Sequence, residues 1–176
     1  MRTRHWTLFL AVALVGALLD LLTKHLAFEH IRSRWEEVRI IDGFFSFGRT
    51  TNPGVVFGMG QGAKWVWLLI SVLAVPAIGA LFWSVKKPRW ILTISLGMIL
   101  AGTVGNMYDR TFTAIHEVRD FIKFIPGIPD WIPYLGGLDA WPWVFNVADS
   151  ALVVGVIFLL LQGWRDRKVA PAASAA

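Results

Sequence analysis

The chain has 176 residues, 56% of them hydrophobic and only 16% charged, with a mean hydropathy of +0.57. A soluble domain of this size is nearer a quarter charged and less apolar, which argues against a water-soluble globule, and so much apolar surface excludes a disordered chain. The absence of cysteine removes disulfides, thiolate catalysis and Cys-ligated metals, and the length fits a single domain over 1–176.

In chain order, Arg2 and Arg4 precede an apolar run that begins at Trp6 and continues past Asp20 to about residue 28. A cleaved signal peptide would end in a small-x-small site. Asp20 and Lys24 follow instead, and further spans come later, which favours an uncleaved first helix. Residues 29–64 are mixed. Val38 to Ile41 and Phe44 to Phe47 flank Asp42-Gly43, a hairpin signal that predicts a small sheet on the membrane surface. Residues 65–85 and 90–108 carry no charge, and Pro76 predicts a kink in the first of these runs. Residues 109–141 form a second long loop, rich in Pro, Gly and Trp beyond Phe124 and read as irregular there. The last apolar run, 141–164, is broken only by Asp149. Each run approaches the roughly 20 residues that cross a bilayer.

The termini and the short loop at Lys86, Lys87 and Arg89 hold eight basic residues and one acidic. The loop 29–64 has five basic and four acidic residues, and 109–141 three basic and five acidic. This bias predicts that both termini and the short loop are cytoplasmic and both long loops are outside. The net charge of +5 is then an orientation signal rather than a nucleic-acid footprint. The expected fold is an all-α integral membrane protein of four transmembrane helices. A small β-rich extracytoplasmic cradle lies between helices 1 and 2, and an extracytoplasmic loop between helices 3 and 4.

Ionisable groups inside a membrane are costly and mark function. Asp20 and Lys24, four apart, can pair on one helix face. Asn106, Asp109 and Arg110 lie at the end of the third span, and Asn146 and Asp149 three apart at the start of the fourth. With Asn52 and Asp120 from the loops, all fall on the outer side. Asp149, six residues past Trp143, lies about 9 Å below the interface. His5, His25, His30 and His116 lack zinc spacing, and Ser46, Ser71, Ser84 and Ser95 have no evident His partner. Carboxylates remain. Two close together share a proton, so one activates water while the other donates to a carbonyl oxygen. For some of them a structural role is expected: Asp20 with Lys24, and Asp109 with Arg110 or Asn106. Gly97, Ala101 and Gly105 form a small-xxx-small ridge, read as helix packing alone. Two other classes stay open at this point: a transporter or proton-channel subunit, and a non-catalytic membrane assembly factor.

Four blocks resemble lipoprotein signal peptidase (signal peptidase II). They are Asp20-x-x-x-Lys24; Thr51-Asn52-Pro53-Gly54 through Gly58; Gly102-x-x-Gly105-Asn106-x-x-Asp109-Arg110 continuing to Val118-Arg119-Asp120-Phe121-Ile122; and Phe145-Asn146-Val147-Ala148-Asp149-Ser150. The resemblance implies a bacterial cytoplasmic-membrane aspartyl peptidase that cuts prolipoproteins just before a diacylglyceryl-modified cysteine. It implies Asp120 and Asp149 as the catalytic pair. Asp20, Lys24, Asn52, Gly54, Asn106, Asp109, Arg110 and Asn146 match positions that shape or line the site. The implied partners are lipidated precursors and membrane lipids, with no cofactor, metal, nucleic acid or obligatory oligomer. Three features depart from the family pattern. Val55 or Val56 replaces a usual Ala, Arg119 stands where an apolar residue is common and could favour the ionised form of Asp120, and the loop from Phe124 to Trp141 is longer.

Overall fold

A computed structural model describes residues 2–42, 44–54, 64–124 and 144–169. Its helices are α1 (Arg2–His30), α2 (Lys64–Ser84), α3 (Trp90–Phe112) and α4 (Val147–Val169). Each contains a stretch long and apolar enough to cross a membrane. The strands are β1 (Glu37–Ile41), β2 (Phe45–Asn52), β3 (Val118–Phe124) and β4 (Val144–Phe145).

Half of the α3 span is buried, against 6% of the α2 span, so α3 is the centre on which α1, α2 and α4 pack. Leu10, Leu14 and Leu18 of α1 and Leu69, Leu73 and Leu81 of α2 face outward, as lipid solvation allows. The buried face of α1 is His5, Phe9, Ala13, Ala17, Asp20 and Lys24, spaced three or four apart. It changes character along its length. At the N-terminal end Phe9 stacks on Phe82 at 4.4 Å and packs with Leu96 and Leu100. At the other end the buried side chains are charged. Small residues let the helices approach: a Cβ on Gly16 would lie 2.7 Å from Ala101 Cβ, and one on Gly102 would lie 2.3 Å from the Ala148 carbonyl oxygen.

The expected hairpin is present as β1–β2, antiparallel, with an irregularity at Arg39/Ile41, and the β2–β3 pairing has another at Phe47/Thr50. The sheet is larger than that hairpin. Residues 118–124 from the second long loop, and 144–145 from the start of the last apolar run, add two antiparallel strands in the order β1-β2-β3-β4. The register sets Thr50 opposite Asp120 and Asn52 opposite Val118. Two helix boundaries also differ from the apolar runs. α3 continues one turn past residue 108 to Phe112, because Asp109 and Arg110 are buried and partnered rather than solvated. Val144 and Phe145, counted with the fourth span, pair with β3, and the helix begins only at Val147. The irregular stretch 125–143 and the block 55–58 lie outside the described residues.

Candidate active site

The charged end of α1 builds the foundation. Lys24 Nζ has three oxygen partners: Asp20 Oδ2 at 2.7 Å, Asp109 Oδ2 at 3.1 Å and Asn106 Oδ1 at 2.9 Å. Lys24, Asp20 and Asp109 are fully buried, which is tolerable only because each charge is paired and hydrogen-bonded. Asp109 Oδ1 also accepts Arg119 Nε and Nη2 at 3.0 and 2.7 Å, and its Oδ2 accepts the Arg119 backbone N–H at 2.9 Å. The quartet of two acids and two bases is neutral. The expected Asp20–Lys24 pair is present. Asp109 does not pair with Arg110 or Asn106, because Lys24 and Arg119 take both of its oxygens. Arg119 is therefore committed to Asp109 rather than to its neighbour Asp120. The guanidinium of Arg110 turns the other way, donating to the carbonyl oxygens of Gly54 at 2.7 Å and Asn106 at 3.5 Å.

Gly105 faces this foundation. A Cβ there would sit 2.4 Å from Asp20 Oδ2 and 3.3 Å from Ala148 Cβ. The small-residue ridge on α3 thus does more than pack helices, since it leaves room for a buried carboxylate. The other oxygen of Asp20 accepts the Ala148 backbone N–H at 2.8 Å, tying α1 to the first turn of α4.

Above the quartet stand two asparagines. Asn106 Oδ1 accepts Lys24 Nζ and Asn146 Nδ2, so its Nδ2 must point away from them, and it donates to Asp149 Oδ1 at 2.9 Å. Asn146 precedes α4 and caps it: its Oδ1 accepts the Asp149 N–H at 2.9 Å, while Asp149 Oδ2 accepts the Asn146 N–H at 3.2 Å. This reciprocal arrangement is a capping box, with Asp in the position Glu or Gln usually holds. The remaining amide of Asn146 donates to Asp120 Oδ1 at 2.5 Å. One asparagine therefore holds carboxyl groups from β3 and α4.

Asp120 enters from β3 and is 1% exposed. Burial, and next the Asp149 charge, push its carboxyl up to about 8, against the opposing pull of hydrogen bonds from Asn146 and Asn52 and the charge of Lys24. Asn52 is held by an Asx turn in which its Oδ1 accepts the Gly54 N–H at 2.9 Å. Asp149, Asn106, Arg110 and Asn52 line a cavity of about 130 Å³ whose other walls include Ser71 of α2 and Leu152 of α4. Among the described residues no group of three or more His, Asp or Glu side chains could hold a metal ion.

All ten residues singled out in the sequence thus converge. Arg119 belongs to the foundation rather than to Asp120, because neighbours on a strand point to opposite faces. The capping role of Asn146 had a signal in the Asn-x-x-Asp spacing.

Residues 12–165 match the family model described as Signal peptidase (SPase) II. A lipoprotein signal peptidase of Rhodopirellula baltica is 38% identical over 170 residues, covering 90% of this chain and 72% of the relative. One from Geobacillus kaustophilus is 37% identical over 151 residues, covering 86% and 89%. A bacterial membrane enzyme solved by the in meso method superposes with a TM-score of 0.78 at 22% identity, covering 96% of this chain and 94% of that one, and it shares the fold. A match over that much of the chain, with relatives of this identity, places this four-helix membrane protein in the signal peptidase II family of bacterial peptidases.

Proposed function

We propose that the chain is a membrane aspartyl endopeptidase that removes the signal peptide from prolipoproteins just before a diacylglyceryl-modified cysteine. Asp120 and Asp149 are the catalytic pair. The observation that carries this reading is the single Asn146 side chain that hydrogen-bonds the Asp120 carboxyl and caps the helix turn bearing Asp149. Two acids held this way in a dry site keep one proton between them at neutral pH. The ionised partner takes a proton from water as it attacks the scissile carbonyl. The protonated partner donates to the carbonyl oxygen, then the roles reverse to protonate the leaving amine. Lys24 and Asn106 hold the pair from below, and Arg110, Asn52 and Gly54 line the side facing α2. No metal or cofactor enters the scheme, and one copy of the chain suffices.

In this proposal both termini are cytoplasmic and the pair lies at the outer leaflet, at the depth where a diacyl chain would present the bond. The buried carboxylates, Lys24 and Arg110 gather at one end of the bundle, while the other end is packed with Phe9, Phe82, Leu96 and Leu100 and holds the hydrogen-bonded His5 and Thr93. That asymmetry favours a one-sided hydrolase over a transport path, which needs polar groups toward both faces.

The test is incubation of the purified protein with lipidated and unlipidated precursors. Cleavage of the lipidated form alone is expected. Asp120→Asn and Asp149→Asn should each abolish it while the protein still folds, and near-normal turnover in both variants would overturn the assignment.

A further inference from the structure

We propose that the groove between the end of α1 and the sheet is a binding site for an anionic phospholipid headgroup. The groove measures about 740 Å³ and contains four cationic side chains, Arg32, Arg34, Arg49 and Lys123, against the two acids Glu36 and Glu37. Both acids are engaged. Glu36 Oε2 accepts the Arg32 backbone N–H at 2.9 Å, and Glu37 Oε1 accepts Ser46 Oγ and lies 3.7 Å from Lys123 Nζ. Arg49 donates to the carbonyl oxygens of Phe28, Ile31 and Arg32, neutral acceptors that leave its charge uncompensated. Arg32 and Arg34 are exposed, and among the described residues neither guanidinium has a partner. Four cations against two acids leave two positive charges in surplus, and Arg32 and Arg34 present theirs on side chains free to grip an anion.

The depth of the groove selects a lipid rather than a solute. α1 has 29 residues, a length of about 43 Å. That spans the hydrocarbon core and both headgroup layers of a bilayer, roughly 40–45 Å in all. The segment that follows α1 immediately, carrying Arg32 and Arg34, therefore stands at the level of the lipid phosphates. Trp35, 87% exposed between them and the sheet, is the residue type that settles in that layer. A headgroup seated here fastens the sheet to the membrane surface. That contact lies outside the Asp120–Asp149 pair and is independent of the chemistry proposed for it.

The experiment uses the full chain in nanodiscs containing a photoactivatable phosphatidylglycerol with the reactive group on its headgroup. Crosslinks are mapped by mass spectrometry. Yield at residues 31–37 is read relative to yield at 84–90, at the opposite end of the bundle, as an internal standard. The ratio is expected to fall about fivefold for each arginine removed in Arg32→Gln and the double variant Arg32→Gln/Arg34→Gln. The same photo-group on phosphatidylcholine should give a ratio that the substitutions do not move. An unchanged ratio with the anionic lipid, in a double variant that still cleaves precursor, would overturn the proposal. So would an unchanged ratio accompanied by weaker turnover only of precursors with acidic residues near the cleavage point, because the groove would then hold peptide.

Discussion

Asn146 and Asp149 hydrogen-bond each other twice, side chain to backbone in both directions, at 2.9 and 3.2 Å. The helix cap and the proposed catalytic carboxyl are therefore one structure. The same Asn146 amide reaches Asp120, so capping and chemistry can be separated by the length of the side chain. Serine is a good N-cap but is too short to serve Asp120. Asn146→Ser is expected to keep the melting temperature and lose turnover by about 100-fold or more, on the scale of a mispositioned general acid or base. Asn146→Ala should lose turnover and also about 1 kcal/mol of stability. Thermal unfolding in detergent and cleavage of a lipidated precursor measure the two effects; equal stability of the Ser and Ala variants would refute the cap.

The Asp120 carboxyl, pushed up from 3.8 to about 8, makes stability fall as pH rises. Between those two values the folded protein holds a proton that the unfolded chain has lost. The group's contribution is fully present below about 3.8 and declines through the window to about 8. The slope for one such group is about 1.4 kcal/mol per pH unit. Melting curves from pH 5 to 8 should therefore show a shallower decline in Asp120→Asn than in the parent, and the variant should be the more stable of the two at pH 8. Parallel curves would mean that Asp120 is not protonated by its surroundings. Under the shared-proton scheme, loss of the same proton is expected to give the parent's rate profile an alkaline limb.

Gly105→Ala drives a methyl group to 2.4 Å from Asp20 Oδ2. Neither the ion-paired carboxylate nor the backbone of α3 can give way freely, so a loss of about 1–3 kcal/mol is expected, with reduced turnover. Gly79→Ala is the control, since nothing lies within 4 Å of a Cβ there. It should be neutral or mildly stabilising through helix propensity.

Lys24→Met leaves Asp20 and Asp109 without the shared cation and removes one of the two donors that hold the Asn106 Oδ1. Removing one partner of a buried pair costs about 3–5 kcal/mol. Asp20→Asn in the same chain is expected to recover part of the melting temperature without recovering turnover, because Asn106 still lacks its Lys24 donor. Full recovery of both would show that Lys24 only balances charge.

A reporter fused after Lys87 should be cytoplasmic, and one inserted near Pro129 should be outside. The reverse pattern would invert the proposed orientation and remove the site from the outer leaflet.

The four helices are legible because long runs with little or no charge have few alternatives, and Asp20, Lys24, Asp109, Arg110 and Asp149 because ionisable groups in or beside apolar runs stand out; Gly54 is marked only by the family resemblance. The partners were harder to read. Asp109 next to Arg110 suggests a local pair, but helical neighbours diverge by about 100°, and Arg110 reaches the Gly54 carbonyl while Asp109 meets α1 and β3. Strand β3 was recognised for its motif and not for its sheet, since Val118–Phe124 alternates only partly. Two-residue β4 has no periodicity to detect, and its pairing with Ile122 and Lys123 comes entirely from tertiary context.

The bond from the Ala148 backbone N–H to Asp20 spans 128 positions of the chain. It joins α1 to α4. A nascent chain that has emerged through β3 but not yet to Asn146, Ala148 and Asp149 carries the charged foundation without the second acid of the proposed pair. Under the proposed function, cleavage must therefore wait until α4 has been made, inserted and docked against α1.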